Sequence, residues 1–270
     1  MVTGRLFTHT FHPHNTKNLT GKKMNKKQLP FLILLMSVSF ISNANASSLP
    51  KSNIAEYHAC VMNDGDDLRD LNKWIKKWNS WADTEINSGY TAYILTPMYG
   101  VVNTVDSIDF AWVGLAESRE LFWKGKSAFI NSGLQESFPA KCTSMTARQY
   151  AFDDPNDWQV DSNETPLVYR SCLLSEGRTI EDVYNIRQSQ IDMIRAEGIN
   201  SSMKMIIPGL GSPSEKYDFM TLINFGDMAN MGKNNDIWNK DESMREKWRA
   251  LNDNSYMCEN SRMYVGSRIR

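Results

Sequence analysis

The chain predicts an α+β fold made of two tandem β-α-β-β-α-β units, and three features of the sequence carry that expectation. A pattern is used twice: Tyr57, Cys60, Gly65 and Asp70 recur as Tyr169, Cys172, Gly177 and Asp182 at a constant offset of 112 residues. Further on, Pro97 answers to Pro208, Asp109-Phe110 to Asp218-Phe219 and Lys124 to Lys233, the offset drifting only to 109–111. Cys142, Arg148 and Tyr150 correspond in turn to Cys258, Arg262 and Tyr264. Self-similarity over about a hundred residues reads as a duplicated unit. The second feature is the order in which apolar residues switch between a period of two and a period of 3.6, which is the same in both copies. The third is the cysteine count, two in each copy.

In the first copy, residues 54–62 alternate as a strand, and Gly65 ends it. Asp67 and Asp70 form a capping pair ahead of Leu68, Leu71, Trp74, Ile75, Trp78 and Trp81, whose spacing makes one apolar helical stripe. Ser88-Gly89 closes that helix. Strands are expected at residues 90–97 and 109–115, a second helix at 118–131 and a fourth strand at 146–152. The second copy repeats the order. Strands are expected at 167–174, 203–208 and 218–224, with Thr179 and Asp182 capping the intervening helix. One helical region then covers 227–251, and a last strand lies near 262–265. The acidic stretch 153–166, with two prolines, suits a solvated linker between units spanning 47–152 and 167–270.

Ahead of these units, Lys26-Lys27, an apolar run at 31–41 and Ala44-Asn45-Ala46 have the layout of a secretory signal peptide cleaved after Ala46. Met24 stands where such a leader would begin, so residues 1–23 read as upstream sequence. A periplasmic or secreted location follows, with no membrane anchor after cleavage. The six bases of residues 1–46 leave with the leader, so 24 bases face 31 acids in the remainder, a balance of −7. That lacks the basic footprint of a nucleic-acid partner. His58 is the one histidine left.

Four cysteines allow three pairings, and an exported chain keeps them oxidised. In a ferredoxin-like β-α-β-β-α-β sheet the first and fourth strands are neighbours, so Cys60–Cys142 and Cys172–Cys258 are the expected bridges. Comparing the two copies suggests which side of each strand meets the helices. Ala92/Met203, Ile94/Met205, Ala111/Met220 and Val113/Leu222 are apolar in both and are expected to face them. His58/Arg170, Tyr93/Lys204, Phe110/Phe219 and Trp112/Thr221 would then share the helix-free face. Such a face needs a cover, and the other copy's sheet supplies one.

Two such units packed sheet to sheet resemble the dimeric α/β-barrel superfamily, which includes antibiotic-biosynthesis-monooxygenase-like domains. The resemblance spans roughly 54–152 and 166–266 and rests on the Cys…Gly…Asp…Pro…Asp-Phe…Cys layout. It implies an intrachain pseudo-dimer, monomeric as a chain, with a small-molecule ligand held between the sheets. The superfamily's haem-ligating histidines lie on helices, whereas His58 lies on a strand; no cofactor and no metal are therefore expected.

The candidate residues follow from these faces. His58, with Tyr93 assisting, is the candidate general base. Tyr93 and Trp112 could sandwich an aromatic ligand and Arg170 could hold an anionic group, with Phe110, Phe219, Thr221 and Lys204 as further ligand-binding candidates on the same face. With one histidine and no visible partner for it, neither a Ser-His-Asp triad nor a His-rich zinc site is expected. Methionines such as Met203 and Met205 sit on apolar stripes and read as core rather than as copper(I) ligands. No P-loop, dinucleotide fingerprint or zincin motif occurs. The favoured function is an exported, disulfide-stabilised binding module. The alternatives are a cofactor-independent monooxygenase-like enzyme acting on a small aromatic substrate, and a structural or protein-interaction role.

Overall fold

The computed structural model describes residues 49–86, 89–99, 108–152, 164–212 and 217–270. The expected leader, the upstream residues and most of the linker lie outside them. Eight strands and five helices follow in the order β1 (Asn53–Met62), α1 (Leu68–Glu85), β2 (Tyr90–Tyr99), β3 (Phe110–Ala116), α2 (Arg119–Asn131), β4 (Ala140–Ala151), β5 (Thr165–Leu174), α3 (Ile180–Ala196), β6 (Ser202–Pro208), β7 (Phe219–Asn224), α4 (Met228–Lys240), α5 (Glu242–Asn252) and β8 (Tyr256–Arg268). All strand pairs are antiparallel, and the strands close into a barrel in the order β1-β3-β2-β8-β5-β7-β6-β4.

Local chemistry sets the helix starts. Asp67 and Asp70 form a reciprocal capping box on α1, as do Thr179 and Asp182 on α3. Each box satisfies two of the orphan amides at a helix start. The single helical region expected at 227–251 is two helices. Asp241 leaves helical geometry at ψ 95° and caps α5 through a bond from the Met244 amide, so a side-chain acceptor breaks the run. Strands β4 and β8 are longer than expected and carry Cys142 and Cys258 inside them. There Cys60 lies directly opposite Cys142 and Cys172 opposite Cys258, and each pair forms a disulfide.

The two four-strand sets join edge to edge, β2 to β8 and β4 to β6, instead of stacking face on face. Closure hides the sheet edges and leaves an inward face with its own core of Ala55, Leu95, Val113, Ala147, Leu167, Tyr169, Ile206, Met220 and Leu222. Outside the barrel, one core lies under α1 around Trp74, Trp78 and Trp112, another under α3 and α5 around Ile191, Met205, Phe219 and Met244, and a smaller cluster joins Val168, Phe225 and Met263.

This arrangement corrects the expected strand faces. Ala92, Ile94, Met203 and Met205 do point to the helices. Ala111, Val113, Met220 and Leu222 point into the barrel. Trp112 lies opposite Ile94 and His58, not in line with Tyr93, so His58, Phe110, Trp112, Arg170, Phe219 and Thr221 are on the helix side. Tyr93 and Lys204 lie on the barrel side, Lys204 opposite Leu222. The cause is burial on both faces. A strand with apolar residues inside and outside loses the alternation that reveals its register.

Candidate functional site

His58 sits at the centre of a polar cluster that the sequence did not reveal. Its Nε2 is 2.9 Å from Oε2 of Glu56, two residues earlier on the same strand face, and its Nδ1 is 2.5 Å from Oγ of Ser144, directly opposite on β4. Lys126 of α2 pairs with the same Glu56 oxygen, and the Tyr90 hydroxyl donates to Oε1 at 2.5 Å. The Trp112 indole donates in turn to Tyr90 at 3.4 Å.

Burial alone would raise the Glu56 carboxyl. The hydrogen bond from His58 and the charges of Lys126 and His58 outweigh it and hold the group down to about 2. Burial and the neighbouring Glu56 charge push the Tyr90 phenol up, so it stays a donor. With Glu56 ionised, its Oε2 accepts from His58 Nε2, while Nδ1 shares a hydrogen bond with the Ser144 hydroxyl. Gly114 makes the cluster geometrically feasible. A Cβ there would lie 1.8 Å from the Tyr90 hydroxyl oxygen, which crosses β3 at this point to reach Glu56.

Glu56, His58 and Trp112 border a cavity of about 210 Å³ between the outer sheet face and helices α1 and α2. Its other walls include Trp78, Trp81 and Phe129. A second cavity of about 520 Å³ opens inside the barrel, where β1 ends and β3 begins. Tyr57, Tyr169, Tyr217 and Tyr264 line it with Met145, Met220 and Arg262, and none of the described residues lining it is acidic. Burial raises the Tyr57, Tyr169 and Tyr264 phenols, so they are neutral donors. Arg262 donates to Ser171 Oγ at 2.9 Å, and its Nε is buried with no partner.

A bulge puts Arg262 there. Register between β5 and β8 shifts past Tyr169, and Asn260 takes φ 54°. Cys258, before the bulge, faces the helices. Arg262 and Tyr264, after it, turn inward opposite Tyr169 and Leu167. The matching Arg148 lies on an unbulged strand, opposite Ile54, and stays outside over the Tyr150 ring.

The expected site residues therefore divide among separate places. His58, Phe110 and Trp112 are under α1 and α2. Phe219 and Thr221 are buried under α3 and α5, whereas Arg170, opposite Thr221 on the same face, is exposed; partial desolvation and the Arg187 charge lower its guanidinium. Tyr93 and Lys204 belong to the barrel side, and burial lowers the Lys204 amine. His58 and Tyr93 occupy opposite faces of one sheet, so they do not meet at one substrate. The partner that His58 lacked in the sequence is supplied twice, by Glu56 and Ser144, and the Glu-x-His spacing on a strand is the signal that could have shown the first.

No family model matches the chain, and no curated protein matches it. Solved structures do resemble it. A crystal structure with a provisional chlorite dismutase assignment is 11% identical with TM-score 0.49, covering 82% of this chain and 96% of that one. A chlorite dismutase variant from Candidatus Nitrospira defluvii is 8% identical with TM-score 0.47, covering 82% and 93%. A heme-binding protein from Thermus thermophilus is 7% identical with TM-score 0.46, covering 80% and 91%.

His58 has both ring nitrogens engaged within the protein and all four cysteines are in disulfides, so none of these residues is free to ligate a haem iron.

Proposed function

We propose that the chain is an exported binding protein whose barrel cavity takes a small carboxylate with an apolar or aromatic body. In this reading it consists of two ferredoxin-like units, each contributing four strands in the order fourth-first-third-second to one barrel. The two disulfides suit an oxidising compartment and agree with the leader-like segment ahead of the first unit.

The observation that carries the reading is Arg262. A guanidinium turned into a protein interior is costly unless it is paired, and an acid is the usual partner. Among the described residues Arg262 has a neutral partner in Ser171, its Nε is buried with no partner, and the cavity of about 520 Å³ beside it is lined by no carboxylate. A ligand carboxylate would supply the missing charge in a geometry that the guanidinium fork accepts. The tyrosine rings would add aromatic edges, and Leu95, Met145 and Met220 would receive the apolar body.

Calorimetric titration with phenylacetate tests this. Phenylacetate is expected to bind, phenylacetamide to bind at least about tenfold more weakly, and Arg262→Gln to lose at least about tenfold in phenylacetate affinity, since a charged hydrogen bond contributes about 1.5–3 kcal/mol. Equal affinity for acid and amide, or an unaffected variant, would overturn the reading.

A further inference from the structure

Gly125 lies near the middle of α2, where glycine costs about 1 kcal/mol relative to alanine. Such a residue usually answers to a close approach of another chain segment. Among the described residues none is present: a Cβ at Gly125 would meet nothing nearer than Ile86 Cδ1 at 3.8 Å, an ordinary contact. The matching residue of the second half, at the offset of 109 that relates Lys124 to Lys233, is Asn234. Asn234 is 2% exposed, and its side chain bonds both the amide and the carbonyl of Asn200. The second half uses the space with a side chain. The first half leaves it empty, and Gly125 borders the cavity of about 210 Å³ under α1 and α2.

The chemistry of that cavity narrows what it can hold. Trp78, Trp81, Trp112 and Phe129 present ring faces and edges. Its one acid, Glu56, is 5% exposed and has both oxygens engaged, by Tyr90 on one side and by His58 and Lys126 on the other. Lys126 neutralises it, so the pocket carries no uncompensated charge to attract an ion. An apolar cavity of about 150 Å³ accepts benzene. The present one is larger by the volume of a few more ring atoms, and far too small for a porphyrin.

From the empty space at a helix glycine, the aromatic walls and the neutralised floor, we propose that this cavity is a second, separate binding site for an uncharged aromatic molecule of one or two rings. Gly125 is the residue that keeps it open. The site is independent of the barrel cavity: it lies on the other face of the sheet, and its occupant carries no charge.

Indole is the probe, tryptamine its cationic counterpart, and calorimetry with the full chain the readout. Indole is expected to bind wild type and Gly125→Ala with affinities within about threefold, because a methyl group leaves most of the space. Gly125→Leu fills the cavity; it is expected to lower indole affinity at least tenfold while keeping or raising the melting temperature. Tryptamine is expected to bind at least tenfold more weakly than indole. Should Gly125→Leu fail to fold, Ile86→Phe closes the cavity from the opposite wall and is expected to give the same loss. Indole affinity unchanged by a folded cavity-filling variant, absence of indole binding to wild type, or tryptamine binding as well as indole would each overturn the proposal. Phenylacetate binding at Arg262 is read in the same proteins and is expected to be unchanged, so failure of one site is distinguishable from failure of the other.

Discussion

The helix-side cores of the two halves start from one pattern and end differently. In the first, Glu56 and His58 face α1 and α2 across a cavity bordered by tryptophans. In the second, the residues 112 positions later are Val168 and Arg170, and Trp78 is answered by Gln190. There Tyr256 donates to Gln190 at 2.8 Å and accepts from Arg187 at 3.2 Å, while Gln190 donates to the Trp248 carbonyl of α5 at 3.0 Å. Arg187 also stacks over the Trp248 and Tyr256 rings, 5.4 Å from each centroid. One half fills its space with a second helix and a hydrogen-bonded side-chain cluster. The other keeps a polar hub at the edge of a void. Two segments that share a sequence pattern and a strand order can thus differ in how their helix-side space is filled.

The largest effect should not distinguish the halves at all. Each disulfide closes a loop of similar length, with sequence separations of 82 and 86. Replacing either pair by alanines is expected to cost about 4 kcal/mol on chain-entropy grounds, measured by urea unfolding. Costs differing several-fold would show that the two halves are not equivalent in folding.

Glu56→Gln is the sharpest way to set them apart. It leaves Lys126 and His58 without their acid, and a loss of about 3 kcal/mol is expected. The folded Glu56 carboxyl lies at about 2, below its ordinary value of 4.5. The unfolded chain therefore binds the proton more readily, and the contribution is present above about pH 4.5 and lost as pH falls towards 2. Wild type should lose stability over that window, and the variant should lose about 3 kcal/mol less of it. Parallel acid limbs would mean Glu56 is not held as described.

Gly114→Ala comes next. Its counterpart, at the offset of 109, is Ile223, so the second half tolerates a large side chain where the first does not. The displaced Tyr90 hydroxyl should cost about 1–3 kcal/mol, with Glu56 losing a donor. Tyr256→Phe, the matching cut in the second half, should cost about 1 kcal/mol, since it removes a hydroxyl that serves two partners in a packed cluster. If Tyr256→Phe proved the more damaging of the two, the assignment of the critical polar hub to the first half would fail.

Much of this fold was legible. The capping pairs Asp67/Asp70 and Thr179/Asp182, the stripe from Leu71 to Trp81 and the cysteine partners all depend on local or period-wise chemistry. What escaped depends on register. Aligning Trp112 with Tyr93 is the slip, because a barrel strand apolar on both faces gives no alternation to correct it. Asp241 splits a helix through one side-chain acceptor, which the apolar spacing around Trp238 and Met244 conceals. The barrel site was hidden for a subtler reason. Arg148 and Arg262 are equivalent in the repeat, and only the bulge at Asn260 turns the second one inward.

Arg262 facing into the barrel as an unpaired cation is the claim on which the functional reading stands, and 4-bromophenylacetate soaked into crystals of the protein tests it directly. The account predicts anomalous bromine density among Tyr57, Tyr169 and Met220, with the carboxylate against Arg262. Bromine absent from the barrel, or a carboxylate seated on another cation, would contradict it.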